Sequence, residues 1–224
     1  MTAQPTTSPR PNADRPQQPA TDEARSLWIP DRWPITEAQF LALAACNRDR
    51  RLECNAQGEL IIMPPTGGET GARNIELAYQ VQAWSRRTRL GMAFDSSTGF
   101  RLATGAIRSP DVSWMRADRW DVLDAEGRSG YVPACPDWLI ELRSRTDRIE
   151  LLQAKMQEYL AAGLQLGWLI DPIQQQVWIY QPDQAPIQLD RPLELRGDPV
   201  MPEFRLDLRA IWPPEAAAIA PNAP

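Results

Sequence analysis

The sequence predicts an α/β protein of the α+β kind, in which helices pack on a mixed central β-sheet. The first observation is the order of patterns along the chain, which runs helix, hairpin, helix, several strands, helix and hairpin. The second is the segment PDWLIELRS, whose continuous apolar run is typical of a strand buried on both faces. The third is a content of 43% hydrophobic residues in 224, which is enough for one sizeable core.

The first half of the chain begins with a helix and a hairpin. Thr36 stands before EAQFLALAAC, which predicts a capped helix. RLECN, the turn AQGE and LIIMP then predict a β-hairpin. The loop PTGGETG leads into a second helix over roughly residues 69–87, where apolar residues recur at near-helical spacing.

The middle of the chain reads as short strands. MAFDSSTGFRL predicts two short strands around a turn, and SPDVSWM predicts a strand that starts at Pro110. The polar residues 116–130 predict a loop or a short helix, and the buried strand PDWLIELRS follows. Tryptophans lie within these apolar runs, so they are interpreted as core residues and not as platforms for nucleic-acid bases.

A third long helix follows that strand. Asp147 with Glu150 three residues later resembles a capping box, and Gly163 is the predicted end of the helix. LGWLIDP and QVWIYQP predict two strands joined by a short turn. Strand fragments and loops complete the sequence.

The predicted domain organisation is one domain over residues 26–212 between two tails. Residues 1–25 are polar and rich in proline, which predicts a disordered tail, and residues 213–224 predict a second tail. No run of about 20 apolar residues predicts a membrane span, and the N-terminus lacks the apolar core of a secretory signal. Three widely spaced cysteines without a C-x-x-C pair favour a reduced, cytoplasmic setting.

The composition excludes several chemistries. The chain contains no histidine, which excludes Ser-His-Asp triads, Cys-His dyads and zinc sites with histidine ligands. Any metal must therefore have oxygen ligands, so magnesium, manganese and calcium come first. The formal net charge of -5 argues mildly against a nucleic-acid binder but leaves room for a local positive groove.

Two acids and one lysine stand in unusual places. Asp111 follows Pro110 at a strand start, and Glu141 follows the apolar run of the buried strand. A buried carboxylate needs a partner, which a divalent cation or an arginine can supply. Lys155, the sole lysine of the chain, falls roughly 90° from the centre of the apolar stripe of its helix. Its methylene stem can pack while its ammonium group reaches toward the strand end, so the three side chains could converge.

Such a trio has a known chemistry. Two carboxylates and a backbone carbonyl can hold a hard cation, which acidifies a bound water and neutralises charge on a phosphate. A neighbouring lysine can orient the water, deprotonate it or offset the developing negative charge. Arginine serves poorly as a base because it stays protonated, which is a physical reason to keep a single lysine.

At these residues the sequence resembles a known family. SPDVSW, PDWLIELRSRTD and QAKMQEYLAAGLQLGWLIDP, with MPPTGGETGARN and DSSTGFRL before them, resemble the Uma family of restriction endonucleases. That family is abundant in cyanobacteria and belongs to the PD-(D/E)XK nuclease superfamily. The resemblance covers roughly residues 30–212. It implies a restriction-endonuclease-like fold, a Mg²⁺ or Mn²⁺ ion, and hydrolysis of phosphodiester bonds in DNA.

The resemblance also implies roles for particular residues. Asp111 and Glu141 are the expected metal-binding acids, with the backbone carbonyl of Leu142 as a further ligand. The superfamily lysine usually lies two residues after the second acid, where this chain has Arg143. The family moves that lysine to the next helix, which points to Lys155.

Glu69 matches a supporting acid of the superfamily. Related sequences often carry histidine beside it, whereas this chain has Thr70. Glu69 is therefore an expected fourth catalytic residue, and the departure at Thr70 leaves its role open.

Alternatives to an active nuclease remain open at this point. The same fold could serve as a catalytically silent module for DNA or protein interaction, or as a metal-dependent hydrolase of a small phosphate ester. Arg86, Arg87 and Arg89 form the densest basic cluster, which is either a solvated helix end or a contact for the DNA backbone. A homodimer is expected by analogy with nucleases that cut both strands.

Overall fold

The structure is a computed structural model that describes residues 34–213 of the chain. All of these residues belong to the compact unit Arg32–Pro224, and the unit Met1–Asp31 lies outside the described residues. The predicted tails, 1–25 and 213–224, also lie outside them, apart from Pro213. The predicted domain boundaries therefore stay predictions.

Five helices and twelve strands make up the described part of the chain. The helices are α1 Glu37–Cys46, α2 Gly68–Thr88, α3 Ala117–Asp121, α4 Ala125–Ser129 and α5 Ile149–Ala161. The strands are β1 Arg51–Cys54, β2 Leu60–Met63, β3 Gly91–Asp95, β4 Phe100–Arg101, β5 Ile107–Arg108, β6 Val112–Arg116, β7 Trp138–Leu142, β8 Leu166–Asp171, β9 Gln176–Tyr180, β10 Ile187–Asp190, β11 Glu194–Arg196 and β12 Arg205–Asp207. None of the helices found between residues 34 and 213 is long and apolar enough to cross a bilayer.

A six-stranded mixed sheet forms the centre of the fold. Its strand order is β10-β9-β8-β7-β6-β3, in which β7 and β8 are parallel and the other neighbours are antiparallel. Helix α5 connects the two parallel strands, because a parallel pair needs a crossover and cannot be joined by a tight turn. The predicted mixed sheet with flanking helices is confirmed.

Strand β7 is buried on both faces, as its apolar run predicts. Trp138, Ile140 and Leu142 pack into the core cluster on the α2 side of the sheet. Leu139 belongs to the cluster that contains the buried side chains of α5. Successive strand residues point to opposite faces, so Glu141 shares the face of Leu139 and points toward α5.

A second sheet of four strands, in the order β2-β1-β5-β4, carries the predicted hairpin. Leu52 and Cys54 of β1 pack with Phe40 of α1 in a small separate core cluster. The strand alternation then turns Arg51 and Glu53 to the opposite face of β1. This placement brings two charged residues of the hairpin toward the central sheet.

The capping box predicted at the start of α5 is wrong. Arg148 occupies the N-cap position and makes no capping hydrogen bond with its side chain. Asp147 instead accepts a hydrogen bond at Oδ2 from the backbone N–H of Ser144, at 2.7 Å, and so closes the preceding loop. The end of the helix agrees with the prediction, because Gly163 has a φ of +103°, a left-handed conformation that glycine adopts easily.

The two short strands of MAFDSSTGFRL are present, but they do not pair with each other. Strand β3 lies at the edge of the six-stranded sheet, whereas β4 pairs with β5 in the four-stranded sheet. The turn between them therefore carries the chain from one sheet to the other. The polar residues 116–130 contain the two short helices α3 and α4.

Candidate active site

A cleft of about 930 Å³ opens where β7 ends. The start of α2, the start of β6, the loop after β7 and one face of α5 line it. The four predicted catalytic residues, Asp111, Glu141, Lys155 and Glu69, all line this cleft. The fold therefore brings together residues that are up to 86 positions apart in the sequence, from Glu69 to Lys155.

Lys155 lies on the floor of the cleft between two carboxylates. Its Nζ is 2.8 Å from Oε1 of Glu141 and 3.0 Å from Oε1 of Glu53, and only 8% of its side chain is exposed. Burial by itself favours the neutral amine, but the negative charges of Glu141 and Glu53 outweigh it and raise the pKa of Lys155. Lys155 is therefore a buried cation.

Glu141 is a buried carboxylate with donors on one of its oxygens. Its Oε1 accepts a hydrogen bond from the hydroxyl of Tyr159 at 2.9 Å, besides the contact with Lys155. The pKa of Glu141 is raised to about 7, because burial and the charges of Asp111 and Glu53 raise it by more than the charge of Lys155 lowers it. The surroundings of Glu141 therefore disfavour its ionised form.

Asp111 is brought beside Glu141 by the pairing of two strands. Val112 of β6 lies opposite Ile140 of β7, so Asp111 lies next to the end of β7. Its Oδ2 accepts a hydrogen bond from the N–H of Leu142 at 2.8 Å, and its Oδ1 accepts one from Asn74 at 3.2 Å.

The pKa of the half-buried Asp111 carboxyl group is also raised. Burial raises its pKa, and the hydrogen bond from Leu142 and the charge of Lys155 lower it by a smaller amount. Both predicted metal-binding acids are therefore held in a poorly solvated place, where a cation partner would be favourable.

Glu53 is the site residue that the sequence analysis missed. It is 2% exposed, and its Oε1 accepts hydrogen bonds from Lys155 and from the N–H of Ser109 at 3.1 Å. Its Oε2 accepts one from Arg108 at 3.1 Å. Burial would raise the pKa of Glu53, but the charges of Lys155 and Arg108 outweigh it and lower the pKa. The sequence signal that could have indicated Glu53 is a charged residue between Leu52 and Cys54 in a predicted strand.

Glu69 lies at the rim of the cleft and not on its floor. Its side chain is 69% exposed in the first turn of α2, with Arg73 at 3.6 Å and Arg145 at 3.9 Å. The role of Glu69 as a supporting acid stays a prediction.

Arg143 occupies the place where the superfamily usually has its lysine, and it is engaged elsewhere. Its Nη1 donates a hydrogen bond of 2.6 Å to Oδ2 of Asp171, which is fully buried. The ammonium group of Lys155 reaches Glu141 from α5 instead. The three arginines of the basic cluster, Arg86, Arg87 and Arg89, are exposed at the end of α2 and do not line the cleft.

The donor set of the floor suits a hard cation. Residues 34–213 contain no group of three or more histidine, cysteine or acidic side chains arranged to hold a metal. Magnesium, however, is commonly bound through one or two carboxylates and keeps several waters. Asp111, Glu141 and the carbonyl of Leu142 fit that requirement. Oδ1 of Asn74, beside Asp111, is a buried oxygen without a hydrogen-bond donor in the described structure.

The fold is shared with a solved structure described as a nuclease. A crystal structure of "a putative nuclease belonging to DUF820" from Anabaena variabilis ATCC 29413 superposes with a TM-score of 0.68 and 24% sequence identity. The match covers 80% of this chain and 98% of that chain. The mixed sheet and its flanking helices therefore share the fold of that protein.

The family of the chain follows from a direct sequence match. Residues 37–209 match the model of the family described as "Uma2: Putative restriction endonuclease", and the chain belongs to this family. The resemblance noted from the sequence is confirmed. A comparison with curated proteins finds no match. Family membership supports a nuclease function for the chain.

Proposed function

We propose that the chain is a metal-dependent endonuclease that hydrolyses phosphodiester bonds in DNA. The observation that carries this proposal is the floor of the cleft, where Lys155 lies 2.8 Å from Glu141 and Asp111 lines the same space. Two acids and one lysine on an open cleft are the groups that metal-assisted hydrolysis of a phosphodiester requires.

Asp111, Glu141 and the carbonyl of Leu142 are the proposed ligands of a Mg²⁺ or Mn²⁺ ion. Such an ion, when bound, lowers the pKa of a bound water and offsets negative charge on the phosphate. The hydrogen bonds from Leu142 and Asn74 fix the carboxylate of Asp111, and Tyr159 fixes that of Glu141. The ligand oxygens are thereby preorganised before any ion arrives.

Lys155 is proposed to orient the attacking water and to offset the negative charge that develops on the phosphate. Two carboxylates lie within 3.0 Å of its Nζ, so the ammonium form is stabilised and the lysine does not serve as the base. Glu53 acts as a positioning residue, because it holds the ammonium group from the side of β1.

The cleft also has several basic side chains in its lining, although the chain as a whole is acidic. Arg51, Arg73 and Arg145 line it together with the lysine. Phosphate contacts by such side chains supply most of the sequence-independent affinity for DNA. Contacts of this kind support DNA as the substrate in spite of the net charge of -5, although Glu69, Asp111, Glu141 and Asp147 line the same cleft.

The test is cleavage of supercoiled plasmid DNA with Mg²⁺ or Mn²⁺, with a chelator in parallel reactions. The wild type is expected to nick or linearise the plasmid only with the metal, and Lys155→Ala and Asp111→Asn are expected to lose this activity. Equal cleavage by wild type and both variants would reject the proposed site and indicate a contaminating nuclease.

A second candidate is a catalytically silent module that binds DNA through the same cleft. One observation favours it, because Lys155 forms ion pairs with both Glu141 and Glu53. DNA binding by the purified wild type without cleavage under any metal condition supports this alternative. The expected homodimer and cytoplasmic location stay predictions.

A further inference from the structure

Arg51 stands on the wall of the cleft with part of its guanidinium group unused. It lies two residues before Glu53 in β1, so both side chains leave the same face of the strand. Glu53 contacts Lys155 on the cleft floor at 3.0 Å, and Arg51 lines the cleft beside this group. The sequence pattern predicts this segment only as the first strand of a hairpin.

The contacts of Arg51 hold the side chain but leave a donor without an acceptor. Its Nη2 donates a hydrogen bond of 2.6 Å to the carbonyl of Ser96. Its Nε is buried and has no hydrogen-bond partner among the described residues. Its Nη1 also has no hydrogen-bond partner among the described residues and is not buried, so this end of the guanidinium group is open to a ligand in the cleft.

The surroundings of Arg51 define what that acceptor is. The charge of Arg51 lowers the pKa of Asp111 in the cleft and of Asp95 at the end of β3. Arg51 nevertheless forms no ion pair within 4.0 Å in the described structure. A guanidinium group with a free, directed donor suits an oxyanion, and phosphate oxygens match its geometry. The other cations that line the cleft are Arg73, Arg143, Arg145 and Lys155, and each lies within 4.0 Å of a carboxylate. Arg51 differs from them because it has no such partner in the described structure.

We propose that Arg51 forms a phosphate subsite of the cleft, where its Nη1 donates to a backbone phosphate oxygen of a DNA strand next to Asp111 and Glu141. This inference rests on the proposed function, since it takes DNA as the ligand. It adds a binding residue from β1 of the four-stranded sheet, whereas Glu141 lies in β7 of the six-stranded sheet. The strand is thereby held from the β1 side while the acids and the lysine face it from the floor.

The experiment measures binding of a short fluorescein-labelled DNA duplex by anisotropy in a chelator, so that no metal-dependent cleavage occurs. Arg51→Ala is expected to bind about tenfold more weakly at low salt, and the slope of log K against log salt is expected to fall by about 0.9, the contribution of one phosphate contact. Arg196→Ala is the matched control, because it removes the same charge from an exposed side chain outside the cleft.

Equal affinity and equal salt slope for Arg51→Ala and Arg196→Ala would overturn the subsite. If Arg51→Ala unfolds in a thermal melt, Arg51→Gln is measured by the same criterion, since glutamine keeps a donor for the carbonyl of Ser96. Weak binding by the arginine variant together with no plasmid cleavage by the wild type supports the subsite and rejects hydrolysis. Plasmid cleavage by the wild type with unchanged binding by Arg51→Ala rejects the subsite and leaves the proposed function in place.

Discussion

The floor and the rim of the cleft each hold a predicted catalytic acid, and their surroundings differ sharply. Glu141 on the floor has 5% of its side chain exposed and contacts Lys155 at 2.8 Å. Glu69 on the rim has 69% of its side chain exposed, and its arginine partners lie at 3.6 and 3.9 Å. Burial and a directed partner give a carboxylate an altered pKa, whereas water screens the charge of an exposed one.

A further contrast exists on the floor itself. Glu53 and Glu141 hold the same ammonium group, but the pKa of Glu53 is lowered and that of Glu141 is raised to about 7. Glu53 has a second cation in Arg108, at 3.1 Å, whereas Glu141 has the negative Asp111 nearby. The protein thus stabilises the ionised form of Glu53 and disfavours that of Glu141. A further cation would stabilise the Glu141 carboxylate.

The largest expected effect is a loss of cleavage activity when the floor residue Glu141 is replaced. Glu141→Gln is expected to lower the rate of metal-dependent plasmid cleavage by about 10³-fold, because it removes a proposed metal ligand from a poorly solvated site. The rate is measured under single-turnover conditions over a series of Mn²⁺ concentrations. Full activity of Glu141→Gln at low Mn²⁺ would show that this carboxylate does not hold the ion.

The next largest effect is a loss of folding stability when Glu53 is replaced. Glu53→Gln is expected to lower the free energy of unfolding at pH 8 by about 3 kcal/mol, since it leaves Lys155 and Arg108 with less compensation in a buried place. Urea denaturation followed by tryptophan fluorescence measures it. The control is Glu59→Gln, at an exposed position of the same hairpin, which is expected to change little.

The sign of its pH dependence follows from the lowered pKa of Glu53. The stability that this group contributes is present above the pKa of the unfolded chain, near 4.5, and is lost as the pH falls through the lower folded value. The difference between wild type and Glu53→Gln should therefore shrink in acid. A difference that grows as the pH falls would contradict this assignment.

The opposite sign is expected for Glu141. A rise of its pKa from 4.5 to about 7 means that ionising Glu141 costs the folded state on the order of 3 kcal/mol, at roughly 1.4 kcal/mol per unit. Glu141→Gln should therefore be more stable than the wild type at pH 8, while Lys155 keeps Glu53 as its partner. The gain should appear between pH 4.5 and 7 and stay constant above.

Unfolding curves of Glu141→Gln in a chelator at pH 4, 6 and 8 measure this gain. A variant that is less stable than the wild type at every pH would indicate that the ion pair with Lys155 outweighs the burial of Glu141. Such a result would also show that Glu141 does not need a metal cation to stabilise its charge.

The smallest effect concerns the rim. Glu69→Gln is expected to change plasmid cleavage by less than about fivefold and stability by less than about 1 kcal/mol, because exposed ion pairs contribute little. Both assays are run beside Glu141→Gln under the same conditions. A loss as large as that of Glu141→Gln would make Glu69 a catalytic acid in spite of its exposure and would end the contrast between floor and rim.

Local patterns determined much of what the sequence could predict. Thr36 caps α1 through a capping box with Gln39, as its position before an apolar run predicts. Lys155 was placed at the border of an apolar stripe, and its ammonium group does reach the end of β7. The capping box at Asp147 failed, because the same carboxylate closes the loop on Ser144 instead.

By itself, the sequence determined the order of helices and strands, the family, the exclusion of histidine chemistry, and three of the polar residues on the cleft floor. The order of elements and the absence of histidine follow from residue types and from periods of two and 3.6, which act over a few positions. The family follows from the resemblance of several motifs in their order along the chain. Only the tertiary structure decided that Glu53 joins Lys155 from 102 positions away and that Glu69 lies on the rim. Contacts between separate sheets depend on how whole elements pack, and no short stretch of sequence specifies that packing.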